Sequence, residues 1–181
     1  SDADLFDLDH EAEMAHLELG YTFEGPRAVR LSALYDYASG DRSPLDAASQ
    51  RFDNLFGDRS FEFGPTSIFG ALSRSNLSSA GVRVEARLDD ASDILLMARQ
   101  ASLDEARDSF GASGVRDPSG QSGRNAGLLV EARYRRWLIE NALRLQAGLG
   151  WMPRGRFLKD APTTTGLGDP LYSYLQATWE F

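Results

Sequence analysis

"LYSYLQATWEF", residues 171–181, decides how the rest of the chain is read. Leu171, Ser173, Leu175, Ala177, Trp179 and Phe181 fall at every second position, with Tyr172, Tyr174, Gln176, Thr178 and Glu180 between them. Successive side chains of a β-strand point to opposite faces, so the stretch predicts a strand with one apolar and one polar face. Chain ends usually fray into water. An aromatic kept on the apolar face as far as residue 181 predicts an end held at an apolar surface.

The same period recurs upstream. Ala15 to Phe23, Val29 to Tyr37, Val82 to Leu88, Leu128 to Tyr134 and Leu143 to Trp151 all alternate. Residues 94–103 are strand-like with an ambiguous register: Arg99 puts the odd positions on the polar face, whereas Gln100 argues for the even ones. That makes about seven strands and no long helix. Asp104 to Phe110 is expected to form at most a helical turn within a loop. Residues 1–181 read as a single domain, with the Ser-, Gly- and Asp-rich stretches as loops.

The connections alternate in length. Short ones fall at Glu24-Gly25-Pro26, at Asp89 to Ser92 and around Trp137 to Asn141. Long ones run from Ser39 to Ala80, from Asp104 to Asn125 and from Pro153 to Asp169. In an up-and-down meander this gathers the short turns at one end and the long loops at the other, as outer-membrane barrels do. Tyr21, Phe23, Tyr35, Tyr37, Tyr134, Trp151, Trp179 and Phe181 lie on the apolar face near strand ends, in the manner of an interfacial girdle. The last strand resembles the assembly signal of Gram-negative outer-membrane proteins, with Phe181 at the periplasmic end. The expected fold is therefore all-β, an antiparallel up-and-down transmembrane barrel in the bacterial outer membrane. Seven strands would place the start of the first one outside the cell. Complete bacterial barrels have even strand numbers, so the chain is expected to be the C-terminal portion of a larger barrel. The alternative is an eight-stranded barrel that closes on itself.

Composition narrows the classes. The chain has no cysteine, which rules out disulfides and thiolate metal sites, and its net charge of −8 argues against nucleic acid as a partner. No apolar run approaches the roughly 20 residues of a helical span. The acidic stretch from Asp2 to Glu11 lacks the glycine of an EF-hand loop and reads as solvated. His10 and His16 are the only histidines, and no serine sits in a nucleophile context, so no catalytic residue, metal or cofactor is expected.

Four segments carry a family resemblance: "YDYASGDRSP" (35–44), "FDNLFGDRSFEFG" (52–64), "SNLSSAGVRVEARLDD" (75–90) and "GRFLKDAPTTTGLGDPLYSYLQATWEF" (155–181). Together they resemble the C-terminal half of the alginate export family, over most of the chain from about residue 17 onward. The resemblance implies an outer-membrane channel, in family members an 18-stranded barrel around an electropositive pore. The polar strand faces then line a lumen. They offer Arg30, Arg83, Arg87, Arg99, Arg133, Arg135 and Arg144, opposed by Glu85 and Glu131 together with Glu18, Asp36 and Glu180. Arg154, Arg156 and Lys159 extend this path at the extracellular mouth. Guanidinium pairs bidentately with carboxylate and stays charged, so such a row suits a polyuronate passed between many weak sites. The same arginines also suit a cross-strand ion lattice that stiffens the wall. The expected partners are an anionic polysaccharide, outer-membrane lipid and the assembly machinery that reads the strand ending in Phe181. Two other functions fit the pattern: a general small-solute porin, and a soluble barrel holding an apolar ligand between Val82, Val84, Leu145 and Leu149.

Overall fold

The structure, a computed structural model, describes residues 9–43, 48–53, 63, 71–166 and 168–181. In chain order the elements are β1 (Asp9–His10), β2 (Met14–Thr22), β3 (Arg30–Ala38), β4 (Ala48–Ser49), β5 (Leu77–Asp89), β6 (Ser92–Ser102), β7 (Asn125–Ile139), β8 (Leu143–Trp151), α1 (Arg156–Asp160) and β9 (Leu171–Trp179). Seven strands, β2, β3, β5, β6, β7, β8 and β9, form one antiparallel sheet in which each pairs with the next in sequence. β1 and β4 form a separate two-residue parallel ladder. All seven expected long strands are present. The connections keep their alternation: the turns at 23–29, 90–91 and 140–142 lie at one end, and the loops at 39–76, 103–124 and 152–170 at the other.

Three expectations change. β5 starts at Leu77, five residues before Val82, and β7 runs on to Ile139, so Trp137 belongs to a strand rather than a connection. The odd positions of β6 take the polar face, as Arg99 suggested: Leu95, Met97, Arg99 and Ala101 are buried while Leu96 and Gln100 are exposed. Gln100 is accommodated on the apolar face by donating to the carbonyls of Ala101 and Gly127 at 3.1 and 2.9 Å. Residues 104–110 form turns rather than a helix, and a single 3-10 turn follows at Gly111–Ser113. Asp104 and Asp108 accept backbone N–H groups from Gly40 and Asp41 at 3.0 and 2.9 Å, which tie this turn to the loop after β3.

Burial is inverted relative to a water-soluble sheet. On the apolar face, Leu19, Ala33, Val82, Ala98, Val130, Trp151 and Leu171 pair in one row across all seven strands. Tyr21, Leu31, Val84, Leu96, Ala132, Leu149 and Ser173 form the next row. These faces are exposed, with Val82 at 53% and Leu175 at 78%. The expectation of an internal apolar site fails here, because Val82, Val84 and Leu149 line only an open trough on this outer surface. Polar residues enter the face at Gln100 in one row and Arg136, paired with Ser92, in another. Eight residues of β6 separate the two rows, roughly 26 Å along the strand.

The compact apolar core lies at the long-loop end. Phe63, Leu72, Leu103, Phe110, Met152, Phe157 and Leu158 come from the loops or α1 and pack on Ala38, Leu77, Ala101 and Leu129 of the strands. Burying each such Leu or Phe contributes about 1.5–3 kcal/mol, so the loops are fastened onto the polar end of the sheet. Asn76 cross-links them: its Nδ2 donates to the carbonyls of Glu105 and Ser109, and its Oδ1 accepts the Glu105 N–H at 2.7 Å. Among the described residues no helix is long and apolar enough to cross a membrane, which bears on helices only.

Candidate functional site

The polar face is built from the strand register. One row reads Thr22, Arg30, Glu85, Leu95, Arg133, Gly148 and Tyr174 from β2 to β9. The adjacent row carries Gly20, Ser32, Arg83, Met97, Glu131, Gly150 and Tyr172. Toward the short turns lie Arg87, Asp93, Arg135, Gln146 and Gln176, then Trp137, Arg144 and Thr178. Cross-strand neighbours on one face stand about 4.5–5.5 Å apart, so these rows set charges side by side.

They form a continuous ionic lattice. Glu18 Oε1 accepts from Arg83 at 2.5 Å and from Arg30 at 3.4 Å, with the Ser32 hydroxyl donating at 3.2 Å. Arg83 Nε lies 3.4 Å from Glu85, and Arg133 reaches Glu85 at 4.0 Å and Asp93 at 3.1 Å. Arg135 Nε meets both oxygens of Asp93 at 3.1 Å. Arg30, Arg83, Arg133 and Arg135 thus share Glu18, Glu85 and Asp93, with the buried Glu131 in the same row as Arg83. A network of this kind is held better than an isolated surface pair.

Arg99 takes a different position. Its side chain is fully buried and donates to Asp36 Oδ2 at 2.5 Å, while His16 Nδ1 lies 2.6 Å from the other oxygen of Asp36. The Arg99 guanidinium also sits 5.6 Å from the centre of the Phe63 ring. Gly81 makes room for it, since a Cβ there would lie 2.5 Å from the Arg99 Cβ. Glu131 is buried on β7 beside Met97. Arg87 is exposed and has no ion pair among the described residues, whereas Arg144 stacks over Trp137 at 5.2 Å.

At the long-loop end, Arg154 is engaged by Asp169, whose Oδ1 accepts its backbone N–H at 2.9 Å. Arg156 pairs with Asp160 at 3.4 Å on α1, and Lys159 is exposed on the same helix. Arg51 donates to the fully buried Asp108 through Nε at 2.9 Å and through Nη2. Burial pulls the Arg51 guanidinium below its ordinary value, opposed by Asp41. Among the described residues no three acidic or histidine side chains gather as a metal site requires. Sequence reading assigned Asp93 to no strand and left Trp137 in a connection; the signal was present, because alternation continues through Ser92-Asp93 and through Arg135-Arg136-Trp137.

Asp117 organises the turn that follows Val115. Its carboxylate accepts the hydroxyls of Ser119 and Ser122 at 2.6 and 2.7 Å and their backbone N–H groups at 2.9 and 2.8 Å. The Ser119 and Ser122 bonds hold its acidity well below the usual carboxylate range. A carboxyl depressed in the folded state stabilises that state fully above its unfolded value, about pH 4, and the contribution fades as pH falls toward the folded value. The protection of the amides at residues 117–123, taken against their intrinsic exchange rates, is therefore expected to fall below about pH 4. In Asp117→Asn the same amides should exchange faster at neutral pH and lose that acid dependence.

A family model described as alginate export matches residues 7–167. The chain belongs to the alginate export family. No curated protein sequence matches it. The family match begins ahead of β2 and includes the "GRFLKDAP" segment, but it stops before β9, so the alternation of residues 171–179 is an observation independent of the match. Part of the "FDNLFG" segment lies outside the described residues. Of the fifteen charged residues marked out for the lumen and mouth, all but Glu180 fall within the alginate export match. They do not form one cluster. Arg30, Arg83, Arg133 and Arg135 join with Glu85 in the lattice, Arg99 is withdrawn into the wall, and Arg154, Arg156 and Lys159 belong to the loops.

Proposed function

We propose that this chain forms part of an outer-membrane channel through which an anionic polysaccharide, alginate or a related polyuronate, passes without a catalytic step. The observation that carries this reading is the pairing of two opposite faces. An exposed apolar band of roughly 26 Å matches the roughly 25 Å lipid-facing band of outer-membrane barrels. Behind it, across the same strands, runs the arginine-rich lattice. On this reading lipid covers the apolar face, the short turns lie in the periplasm, and the assembly machinery reads β9 and Phe181. Sugar carboxylates exchange with Glu18, Glu85 and Asp93 for the guanidinium groups, and because every site is already shared, no single one holds the polymer.

Planar-bilayer conductance tests this. The full-length protein should pass anions in preference to cations and be blocked by mannuronate oligomers. Arg83→Ala and Arg133→Ala should each lower the anion-to-cation permeability ratio about fivefold, the equivalent of about 1 kcal/mol for one charge at 4 Å in water. Cation selectivity without block in the unaltered protein would sink the proposal. Passage of small neutral solutes with indifference to polyuronate would favour a general porin instead.

A further inference from the structure

We propose that the short-turn end of the polar face holds a discrete subsite for one carboxylated sugar ring, with Trp137 as the stacking surface and Arg87 and Arg135 as the carboxylate contacts; this rests on the polysaccharide reading above. A cleft of about 490 Å³ opens there, lined by Glu85, Arg87, Asp93, Arg135 and Trp137 with the turn at 89–92. That volume lies within the range of small-molecule sites.

Trp137 is placed unlike the other two tryptophans. Trp151 and Trp179 lie on the apolar face and are about half exposed, whereas Trp137 shares the polar face with Arg135. Arg144 covers one face of this indole, and the flat π-face on the other side suits the C–H surface of a pyranose. Arg144 lies over the ring at 5.2 Å and so fixes its orientation while using no carboxylate among the described residues. The register breaks on both sides of the cleft, between Arg87 and Asp89 on β5 and between Trp137 and Ile139 on β7. Bulges of this kind re-aim side chains and gather next to functional sites.

The charges fit one sugar acid better than a bare anion. Arg87 is exposed and outside the lattice, and Arg135 holds Asp93 by a single nitrogen, Nε. Both can fork onto an incoming carboxylate. Glu85 and Asp93 accept the hydroxyls of the same ring and repel a small inorganic anion. The subsite therefore selects a carboxylate that carries neutral hydroxyl neighbours, and it sits where the polymer would first meet the polar face from the short-turn side.

The test is block of the full-length channel in a planar bilayer by tetramannuronate, with a neutral β-1,4-linked mannose tetramer as control. Trp137→Ala and Arg87→Gln should each weaken the block about tenfold, and Trp137→Phe by less than about threefold, because a phenyl ring still stacks. The block should be stronger from the short-turn side, and the neutral tetramer should block weakly in every variant. If both variants are blocked as the unaltered channel is, while anion selectivity persists, the subsite is wrong and the channel reading stands. If the unaltered channel is cation-selective and unblocked, the channel reading itself has failed.

Discussion

Replacing Asp36 by alanine is expected to lower folding stability by about 3–5 kcal/mol, the cost of leaving a buried charge without its partner. Arg99 has no exposed side-chain surface and Asp36 only 4%. Among the described residues, Nη2 alone of the three guanidinium nitrogens of Arg99 has a hydrogen-bond partner, the Asp36 carboxylate. Phe63 offers its ring face at 5.6 Å, which softens the charge but accepts no directed bond. Removing Asp36 leaves Arg99 with that ring alone, and His16 loses the oxygen 2.6 Å from its Nδ1. The double variant Asp36→Leu/Arg99→Met should recover most of the loss, because well-packed apolar residues can replace a buried pair at little cost. Equilibrium unfolding in detergent micelles reads both. A loss below about 1 kcal/mol in Asp36→Ala would show that water reaches Arg99 and that the pair is an ordinary exposed one.

Why Arg99 behaves this way could not be read from its spacing. Alternation places Arg30, Arg83, Arg99, Arg133 and Arg135 on one face as equals, and the register does put them there. What separates them is the third dimension. Phe63, Leu72, Leu103, Phe110, Met152 and Phe157 from the described parts of the long loops pack at that end of the face, and Arg99 lies against Phe63, whereas Arg133 and Arg135 pair with Asp93 toward the short turns. Strand period is a local property of two residues; loop cover depends on contacts such as Asn76 to Glu105 and Ser109, far apart in sequence. For the same reason the fold was legible and the site only in part. The seven strands, the loop alternation and the exposed apolar face follow from residues that repeat every second position. The division of arginines into lattice, wall and mouth follows from carboxylates on other strands. Asp93 is the clearest case: it falls just outside the strand that spacing marks out, yet it closes the lattice between Arg133 and Arg135.

Gly127→Ala is expected to cost about 3–5 kcal/mol, combining backbone strain with a collision in a packed seam. The residue has φ +142°, a conformation that side chains with a Cβ rarely adopt. A Cβ there would also lie 2.3 Å from the Pro153 carbonyl oxygen and 3.0 Å from the Gly155 nitrogen, and both are backbone atoms that cannot rotate away. The seam is what ties the 152–170 loop to β7: Leu128 N–H donates to Pro153 at 3.2 Å, Gly155 N–H donates to Ala126 at 2.7 Å, and Gly127 bridges Arg154. Pushed apart, it would release Met152, Phe157 and Leu158 from the loop core and shift Arg154 away from Asp169. The loss should therefore appear first as faster amide exchange at residues 152–161, then as a lower denaturation midpoint. In a channel it should also raise conductance, since this loop packs over the polar face. A Gly127→Ala variant with unchanged exchange and an unchanged midpoint would mean that the loop is held by its apolar contacts alone, and that the glycine serves no seam.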